Sequence, residues 1–150
     1  MSYVLAIIDM QPTFCSGNNR NLLMKHCVAE IQRAKKTHSH IIVVEYGKQN
    51  THDTLIKHLV GYSRLHFVEK NRTDGSKHIT ACMNRYNIRH KTMRVVGVYT
   101  DYCVRETVLS LLDACDMSIK VVAKACYTPY AGKQMQTLRE FSRYRRIEVV

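Results

Sequence analysis

The chain has 150 residues, of which 45% are hydrophobic, and a formal net charge of +11 at pH 7. This length suits one domain with a buried core, and the apolar content is ordinary for a globular protein. The sequence contains no apolar run as long as a membrane span, and Asp9 ends the first apolar run early, so we expect a cytoplasmic protein without signal peptide or membrane partner. Six scattered cysteines without a CxxC pair predict free thiols rather than a zinc site or a disulfide framework.

The positive charge permits two interpretations. A nucleic-acid or membrane-surface partner has to be considered for a chain this basic. The densest basic groups are Lys35-Lys36 and the RYRR stretch at 143–146, and no recognised nucleic-acid module accompanies them. We therefore expect a solvated basic surface rather than a nucleic-acid partner, with a binding footprint as the alternative.

Apolar runs and helical spacings alternate along the chain. The predicted strands are residues 3–8, 41–44, 65–70, 95–98, 119–123 and 147–150, and a turn-rich stretch follows the first of them at 16–19. Helices are predicted at 21–37, 51–60, 76–86, 103–115 and 133–144, and the expected N-terminal caps are Thr51, Ser76 and either Thr100 or Asp101. This alternation predicts a single α/β domain over residues 1–150, with a Rossmann-like three-layer α/β/α architecture and a six-stranded, mostly parallel sheet.

Three reactive side chains follow predicted strand ends: Asp9, Lys70 and Cys103. The carboxyl ends of parallel strands meet at one edge of the sheet, where ligands bind. Cys103 falls in the first turn of a helix, where free N–H groups and the helix dipole favour a thiolate. Asp9 can accept the thiol proton and pass it to a leaving amine, while Lys70 would stabilise the thiolate. This combination predicts nucleophilic catalysis by cysteine.

Two motifs carry a family resemblance. Residues 9–14 (DMQPTF) resemble the D-x-Q-x-x-F opening of the isochorismatase-like cysteine hydrolases, which include nicotinamidases and N-carbamoylsarcosine amidohydrolase. Residues 97–104 (GVYTDYCV), with Thr107, resemble the nucleophile motif of that family. Lys70 lies where the family lysine ends the third strand, and the succession of strands and helices agrees across essentially the whole chain.

The resemblance implies a catalytic triad of Asp9, Lys70 and Cys103. It also implies a cis peptide between Val98 and Tyr99, and an oxyanion hole formed by the backbone N–H groups of Tyr99 and Cys103. Tyr99 stands where a small residue is usual in the family, and such a side chain can either narrow the substrate pocket or point away from it. Phe14 is a candidate wall of that pocket, with a position in the core as the alternative. A homo-oligomer, a dimer or larger, is expected as well.

The resemblance also bears on metal and substrate. Nicotinamidases carry a D-x-H metal motif after the second strand, whereas residues 45–53 read EYGKQNTHD, with His52 and Asp53 adjacent and in a different register. We therefore expect no metal and no cofactor, and nicotinamide is in doubt as a substrate. The sequence predicts a cysteine amidohydrolase for a small amide, carbamoyl or ureido compound. The alternative is a catalytically degenerate member that acts as a basic binding protein for nucleic acid or an acidic partner.

Overall fold

The computed structural model describes residues 1–17 and 19–150, so Asn18, in the predicted turn-rich stretch, lies outside the described residues. The strands are β1 (Val4–Ile8), β2 (His40–Tyr46), β3 (Leu65–Lys70), β4 (Thr92–Val98), β5 (Ser118–Tyr127) and β6 (Ile147–Val149). The α-helices are α1 (Arg20–Lys36), α2 (Asp53–Leu59), α3 (Ser76–Arg85), α4 (Arg105–Ala114) and α5 (Lys133–Phe141), and a π-helical turn (Thr100–Val104) precedes α4.

The sheet has the strand order β3-β2-β1-β4-β5-β6, and every pair of neighbours is parallel. The α/β prediction is confirmed, and the sheet is parallel throughout rather than mostly parallel. β1 lies between β2 and β4 with all five of its residues buried, as its unbroken apolar run predicts. The strand order reverses between β1 and β4, and such a reversal opens a crevice for ligands at the carboxyl ends.

Helices cover both faces of the sheet and enclose two hydrophobic cores. One core packs α3, α4 and α5 against residues such as Ala6 and Ile8. The other packs α1 and α2 against residues such as Leu5 and Ile7. Successive residues of a strand point to opposite faces, so a continuous apolar strand supplies both cores at once. This arrangement is the predicted three-layer architecture.

At Gly97, the backbone of β4 approaches the backbone of β1 more closely than a residue with a Cβ atom would allow. Its φ is +135°, and a Cβ atom built there would lie 2.1 Å from the carbonyl oxygen of Ile8. The register between β4 and β5 also shifts between Val95 and Gly97. Glycine is therefore required where β4 passes the last residue of β1, one position before Asp9.

Two of the predicted helix caps are wrong because other groups compete for the same bonds. α2 is capped by His52, whose ring nitrogen Nδ1 accepts a hydrogen bond from a backbone N–H, while the Thr51 hydroxyl donates to Glu45 Oε2 at 2.9 Å. Ser76 is the first helical residue of α3 rather than its cap. Its backbone N–H donates to Asp74 Oδ1 at 2.8 Å.

The start of the helix after β4 also differs from the prediction. The N-cap is Tyr99, with an extended backbone, so neither Thr100 nor Asp101 holds that position. The Thr100 side chain is fully buried, and its hydroxyl donates to the side-chain oxygen of Gln134 on α5. The Val104 N–H donates to the Tyr99 carbonyl at 3.2 Å, the five-residue spacing of a π turn. π turns recur at functional sites in proteins.

The remaining differences concern the ends of elements. β5 extends to Tyr127, beyond the predicted end at residue 123, because the shift in register lets it continue beside β4. α5 ends at Phe141 rather than at Tyr144. In the described part of the chain, the helices are too short or too polar to cross a lipid bilayer.

Candidate active site

The three predicted catalytic side chains meet at the carboxyl edge of the sheet. Asp9 follows β1, Lys70 is the last residue of β3, and Cys103 lies in the π turn after β4. Lys70 Nζ is 3.0 Å from Asp9 Oδ2, and both residues are 1% exposed. The Cys103 thiol lies close enough to Asp9 for each group to change the pKa of the other, and it is partly exposed. A buried ion pair therefore lies next to an accessible thiol.

The ammonium group of Lys70 is held by its own succeeding loop. Nζ donates to the carbonyl oxygens of Arg72 at 2.8 Å and Thr73 at 3.1 Å, and it lies 4.9 Å from the ring centroid of Tyr46. A buried ammonium group needs such partners because an unpaired one would be costly to desolvate. The sequence analysis missed these contacts, because every residue has a backbone carbonyl and the sequence does not show which of them accept a hydrogen bond from Lys70.

Gly75 and Thr107 join the Lys70 loop to the helix that follows Cys103. The Gly75 N–H donates to the Thr107 hydroxyl at 3.0 Å, and both residues are buried. A Cβ atom at Gly75 would lie 3.2 Å from both Lys70 Cδ and Val44 Cγ1. Glycine thus lets the loop close over the lysine stem, and Thr107 of the nucleophile motif has a structural partner.

The carboxylate of Asp9 is poised to accept a proton. Burial raises the pKa of Asp9, while the charge of Lys70 and interactions with Cys103 oppose that rise. Within the described residues, neither Asp9 oxygen accepts a well-aligned hydrogen bond, although Oδ2 lies 3.0 Å from Lys70 Nζ. Acceptor capacity on Asp9 therefore remains for a thiol proton or for an N–H group of a substrate.

The surroundings of Cys103 raise the pKa of its thiol. Burial, and after it the negative charge of Asp9, raise the pKa of Cys103 to about 12, whereas Lys70 lowers it. The expectation that the helix end favours a standing thiolate is therefore outweighed. Asp9 is the adjacent base that can take the proton as the thiol attacks.

Gln11 accounts for the third position of the D-x-Q opening. Its side chain is fully buried, with Nε2 donating to the carbonyl oxygens of Tyr46 at 2.9 Å and Gln49 at 2.7 Å. Its Oε1 accepts the Tyr46 N–H at 2.7 Å. Gln11 thereby fixes the loop after β2 against the turn that carries Asp9.

Four aromatic rings form a continuous cluster beside the triad. Phe14 and Tyr99, the two predicted pocket walls, are half-buried with ring centroids 6.0 Å apart in an edge-to-face arrangement. Tyr46 packs edge-to-face on Phe14 at 6.1 Å, and Tyr130 packs in the same way on Tyr99 at 6.0 Å. The sequence analysis did not assign Tyr46 and Tyr130 to the site, although each lies at or just beyond the carboxyl end of a strand.

The backbone before the nucleophile agrees with the resemblance. The peptide bond between Val98 and Tyr99 is cis. The Tyr99 carbonyl accepts hydrogen bonds from the N–H groups of Tyr102 at 3.0 Å and Val104 at 3.2 Å, the residues on either side of Cys103. The oxyanion hole formed by the N–H groups of Tyr99 and Cys103 stays a prediction.

The region that corresponds to the nicotinamidase metal motif is used for local hydrogen bonds. His52 Nδ1 accepts the Thr54 N–H at 3.1 Å, and Glu45 Oε2 accepts from both the N–H and the hydroxyl of Thr51. Across residues 1–17 and 19–150, no group of three His, Cys, Asp or Glu side chains is arranged to hold a metal ion. Independence from metal stays a prediction.

Solved structures share this fold along the whole chain. The nicotinamidase of Staphylococcus aureus superposes with a TM-score of 0.86 at 19% identity, covering 100% of both chains. The N-carbamoylsarcosine amidase of Thermoplasma acidophilum has a TM-score of 0.80 at 16% identity, covering 99% of this chain and 95% of that one. The MAR1 ribonuclease of Caenorhabditis elegans has a TM-score of 0.85 at 18% identity, covering 99% of this chain and 77% of that one.

Curated protein sequences give no significant match. The family model of the isochorismatase domain matches residues 3–148, which is nearly the entire chain. That match agrees with the sheet order, the two motifs and the meeting of Asp9, Lys70 and Cys103 at one edge. The chain therefore belongs to the isochorismatase family of hydrolases.

Proposed function

We propose that this protein is a cysteine amidohydrolase that cleaves a small amide, carbamoyl or ureido substrate through an acyl-enzyme on Cys103. The chain is an isochorismatase-like hydrolase, and its amidase neighbours support action on C–N bonds. The observation that carries the proposal is the buried pair of Asp9 and Lys70 beside a partly exposed thiol. A nucleophile with an adjacent base, itself oriented by a third group, is the arrangement that covalent catalysis requires.

In the first half of the reaction, Asp9 takes the proton of the Cys103 thiol as sulfur attacks the substrate carbonyl carbon. The carbonyl oxygen becomes an oxyanion, and the backbone N–H groups of Tyr99 and Cys103 stabilise it. Asp9 then gives its proton to the leaving nitrogen. The C–N bond breaks, ammonia or an amine departs, and a thioester remains on Cys103.

In the second half, water attacks the thioester and Asp9 accepts the proton of that water. The second tetrahedral intermediate collapses, sulfur leaves, and the free acid departs while Cys103 recovers its proton. The ammonium group of Lys70, 3.0 Å from Asp9 Oδ2, stabilises the carboxylate form of Asp9. We expect Phe14 and Tyr99, whose rings are in edge-to-face contact, to form walls of the substrate pocket.

The test is release of ammonia from a panel of small primary amides, carbamoyl compounds and ureides, with nicotinamide included. We expect turnover of at least one compound, and loss of that turnover in Cys103→Ser. Cys115→Ser is the matched control, because Cys115 is also a partly exposed free thiol. RNA is added to the panel because the structural neighbours include the MAR1 ribonuclease of Caenorhabditis elegans. RNA cleavage that needs Cys103, without turnover of any amide, would overturn the proposal.

The pH dependence of hydrolysis should report the ionisation of Asp9. The base must be ionised to take the thiol proton, so activity falls as the pH drops through the pKa of Asp9. Burial raises that pKa, which places the acidic limb above the range of an ordinary aspartate. The measurement is kcat/KM across acidic and neutral pH. A limb at the ordinary pKa of an exposed carboxyl group would contradict the role of Asp9.

Catalysis should survive removal of metal ions, because His52 and Glu45 are occupied by local hydrogen bonds. We expect unchanged turnover after dialysis against a chelator, and no stoichiometric zinc or iron by elemental analysis. Loss of turnover that is restored by adding metal would reverse this prediction.

The homo-oligomer implied by the family resemblance likewise stays a prediction.

A further inference from the structure

A group of exposed cations lies at the edge of the sheet opposite Cys103. In a parallel sheet, every connection from a helix into a strand returns to the amino ends of the strands. Three of these connections bring together Lys36, Arg64, Arg85, Arg89 and Lys91, all of them exposed. We call these five residues the basic edge. The five residues are far apart in the sequence, so sequence analysis did not identify them as one basic patch.

The cations of the basic edge lack acidic partners. The stretches 35–41, 61–66 and 85–92, which hold all five, contain no aspartate or glutamate. The salt bridges of the described residues involve other cations, namely Arg33, Lys70, Arg94, Arg105, Lys120 and Arg146. Unneutralised charge on one surface creates a positive potential that attracts polyanions.

Contacts among aromatic and imidazole side chains show that the three stretches adjoin in space. His40 Nδ1 lies 3.1 Å from His66 Nε2, and the His40 and His90 rings are 6.0 Å apart. The His66 ring is tilted by 38° against the ring of Tyr86, with the two centroids 4.4 Å apart. Burial, followed by the charges of His66, Arg64 and His90, lowers the pKa of His40 to about 4. Residues of all three stretches therefore lie side by side at this edge of the sheet.

We propose that the basic edge binds single-stranded nucleic acid, with its cations on phosphates and the Tyr86 ring stacked on a base. Tyr86 is 51% exposed, and the Arg85 guanidinium lies 5.6 Å from its ring centroid. An exposed ring beside a cation that has no acidic partner is the arrangement that sequence-tolerant single-strand binding uses. This surface is separate from the triad, because the buried strands between the two edges have five to seven residues and span about 15 to 20 Å.

The test is fluorescence anisotropy of labelled single-stranded RNA and DNA of mixed sequence, with the full chain and a titration of salt. The triple variant Arg85→Glu, Arg89→Glu, Lys91→Glu should weaken binding by at least about tenfold. It should also reduce the slope of log affinity against log salt by about 2, since each phosphate contact contributes about 0.7 for a single strand. Tyr86→Ala should weaken binding several-fold and leave the salt slope unchanged, because stacking releases no counterions.

The matched control is Lys77→Glu, Lys124→Glu, Lys133→Glu, which makes the same change of charge at exposed residues nearer the catalytic edge. We expect this control to lower affinity no more than about threefold, through the change in net charge. An equal loss of affinity for RNA and DNA in both triple variants would overturn the proposal. A failure of the unmodified chain to bind either nucleic acid would overturn it as well. Stronger binding to phosphatidylserine vesicles than to RNA, lost in the basic-edge variant, would assign the surface to membranes and overturn it too. Turnover of the amide substrate is expected to persist in the basic-edge variant, so the two proposals fail independently.

Discussion

Replacing Cys103 with alanine should reduce amide hydrolysis by at least about 10⁴-fold while the fold is kept. The residue is partly exposed, and alanine removes only its sulfur atom, so little packing is lost. Of the partly exposed free thiols in the described part of the chain, Cys103 is the one that lies beside Asp9. The measurement is kcat on the best substrate, together with the circular dichroism spectrum. Intact-protein mass spectrometry should detect an acyl adduct in the unmodified chain and none in Cys103→Ala. Full activity in this variant would show that the nucleophile is another group.

Variants of Asp9 and Lys70 should separate the ionisation of the thiol from turnover. Asp9→Asn removes the negative charge that raises the pKa of Cys103, so alkylation of Cys103 at a fixed pH should become faster. Hydrolysis should nevertheless be lost, because the asparagine cannot carry a proton to the leaving amine. Lys70→Met removes the charge that lowers the same pKa, so both alkylation and hydrolysis should slow.

Cys115 is the internal standard for these alkylation rates, since it is partly exposed and has no catalytic neighbour in the proposed site. Its rate of modification by iodoacetamide, followed by peptide mass spectrometry, should be equal in all three proteins. Slower alkylation of Cys103 in Asp9→Asn would mean that Asp9 activates the resting thiol rather than holding it protonated. Unchanged alkylation in Lys70→Met would remove the electrostatic role given to the lysine.

Gly97→Ala should be the most destabilising single substitution at a glycine of this chain. The added Cβ atom would lie 2.1 Å from the Ile8 carbonyl oxygen, and a backbone atom in the middle of a sheet cannot move aside cheaply. We expect a loss of about 3 kcal/mol or more in the free energy of unfolding. For a domain of this size that corresponds to a fall in Tm of roughly 6 to 12 °C.

Gly61→Ala is the matched control for Gly97→Ala. Gly61 also has a positive φ, +85°, but a Cβ atom there would meet nothing within 4 Å. Gly61→Ala should therefore lower the free energy of unfolding by only about 1 kcal/mol, the cost of placing alanine at a positive φ. Denaturant unfolding of both variants measures the difference, which isolates the clash between β4 and β1. Equal losses in the two variants would mean that the strands can separate at Gly97 without penalty.

Much of the fold, and the meeting of Asp9, Lys70 and Cys103 at one edge of the sheet, could be predicted from the sequence, because both depend on strong local patterns. The apolar run before Asp9 and the change from strand to helix spacing around Cys103 each depend on neighbouring residues alone. The parallel topology then dictates that Asp9, Lys70 and Cys103 share one edge. No long-range contact had to be guessed to bring them together.

Other features depended on competition between distant groups, which residue order does not encode. Thr51 does not cap α2 because its hydroxyl donates to Glu45 instead. Thr100 does not cap the helix after β4 because its hydroxyl donates to Gln134. The aromatic contacts of Tyr46 and Tyr130 arise only when separate loops converge. The basic edge likewise exists only in space. Local sequence patterns therefore predicted the helices and strands, whereas tertiary contacts determine where these elements end and which residues meet at the surface.

The hydrogen bonds that hold Lys70 also fix how many residues can join β3 to α3. The carbonyls that bind Nζ belong to Arg72 and Thr73, and the same loop closes at Gly75 on the Thr107 hydroxyl. An insertion between residues 71 and 75 would withdraw these acceptors from a buried ammonium group. The loop from β5 to α5 bears the exposed ring of Tyr130 and none of Asp9, Lys70 and Cys103. A change in the length of that loop would therefore alter the aromatic contacts of Tyr130 and leave the hydrogen bonds of Lys70 in place.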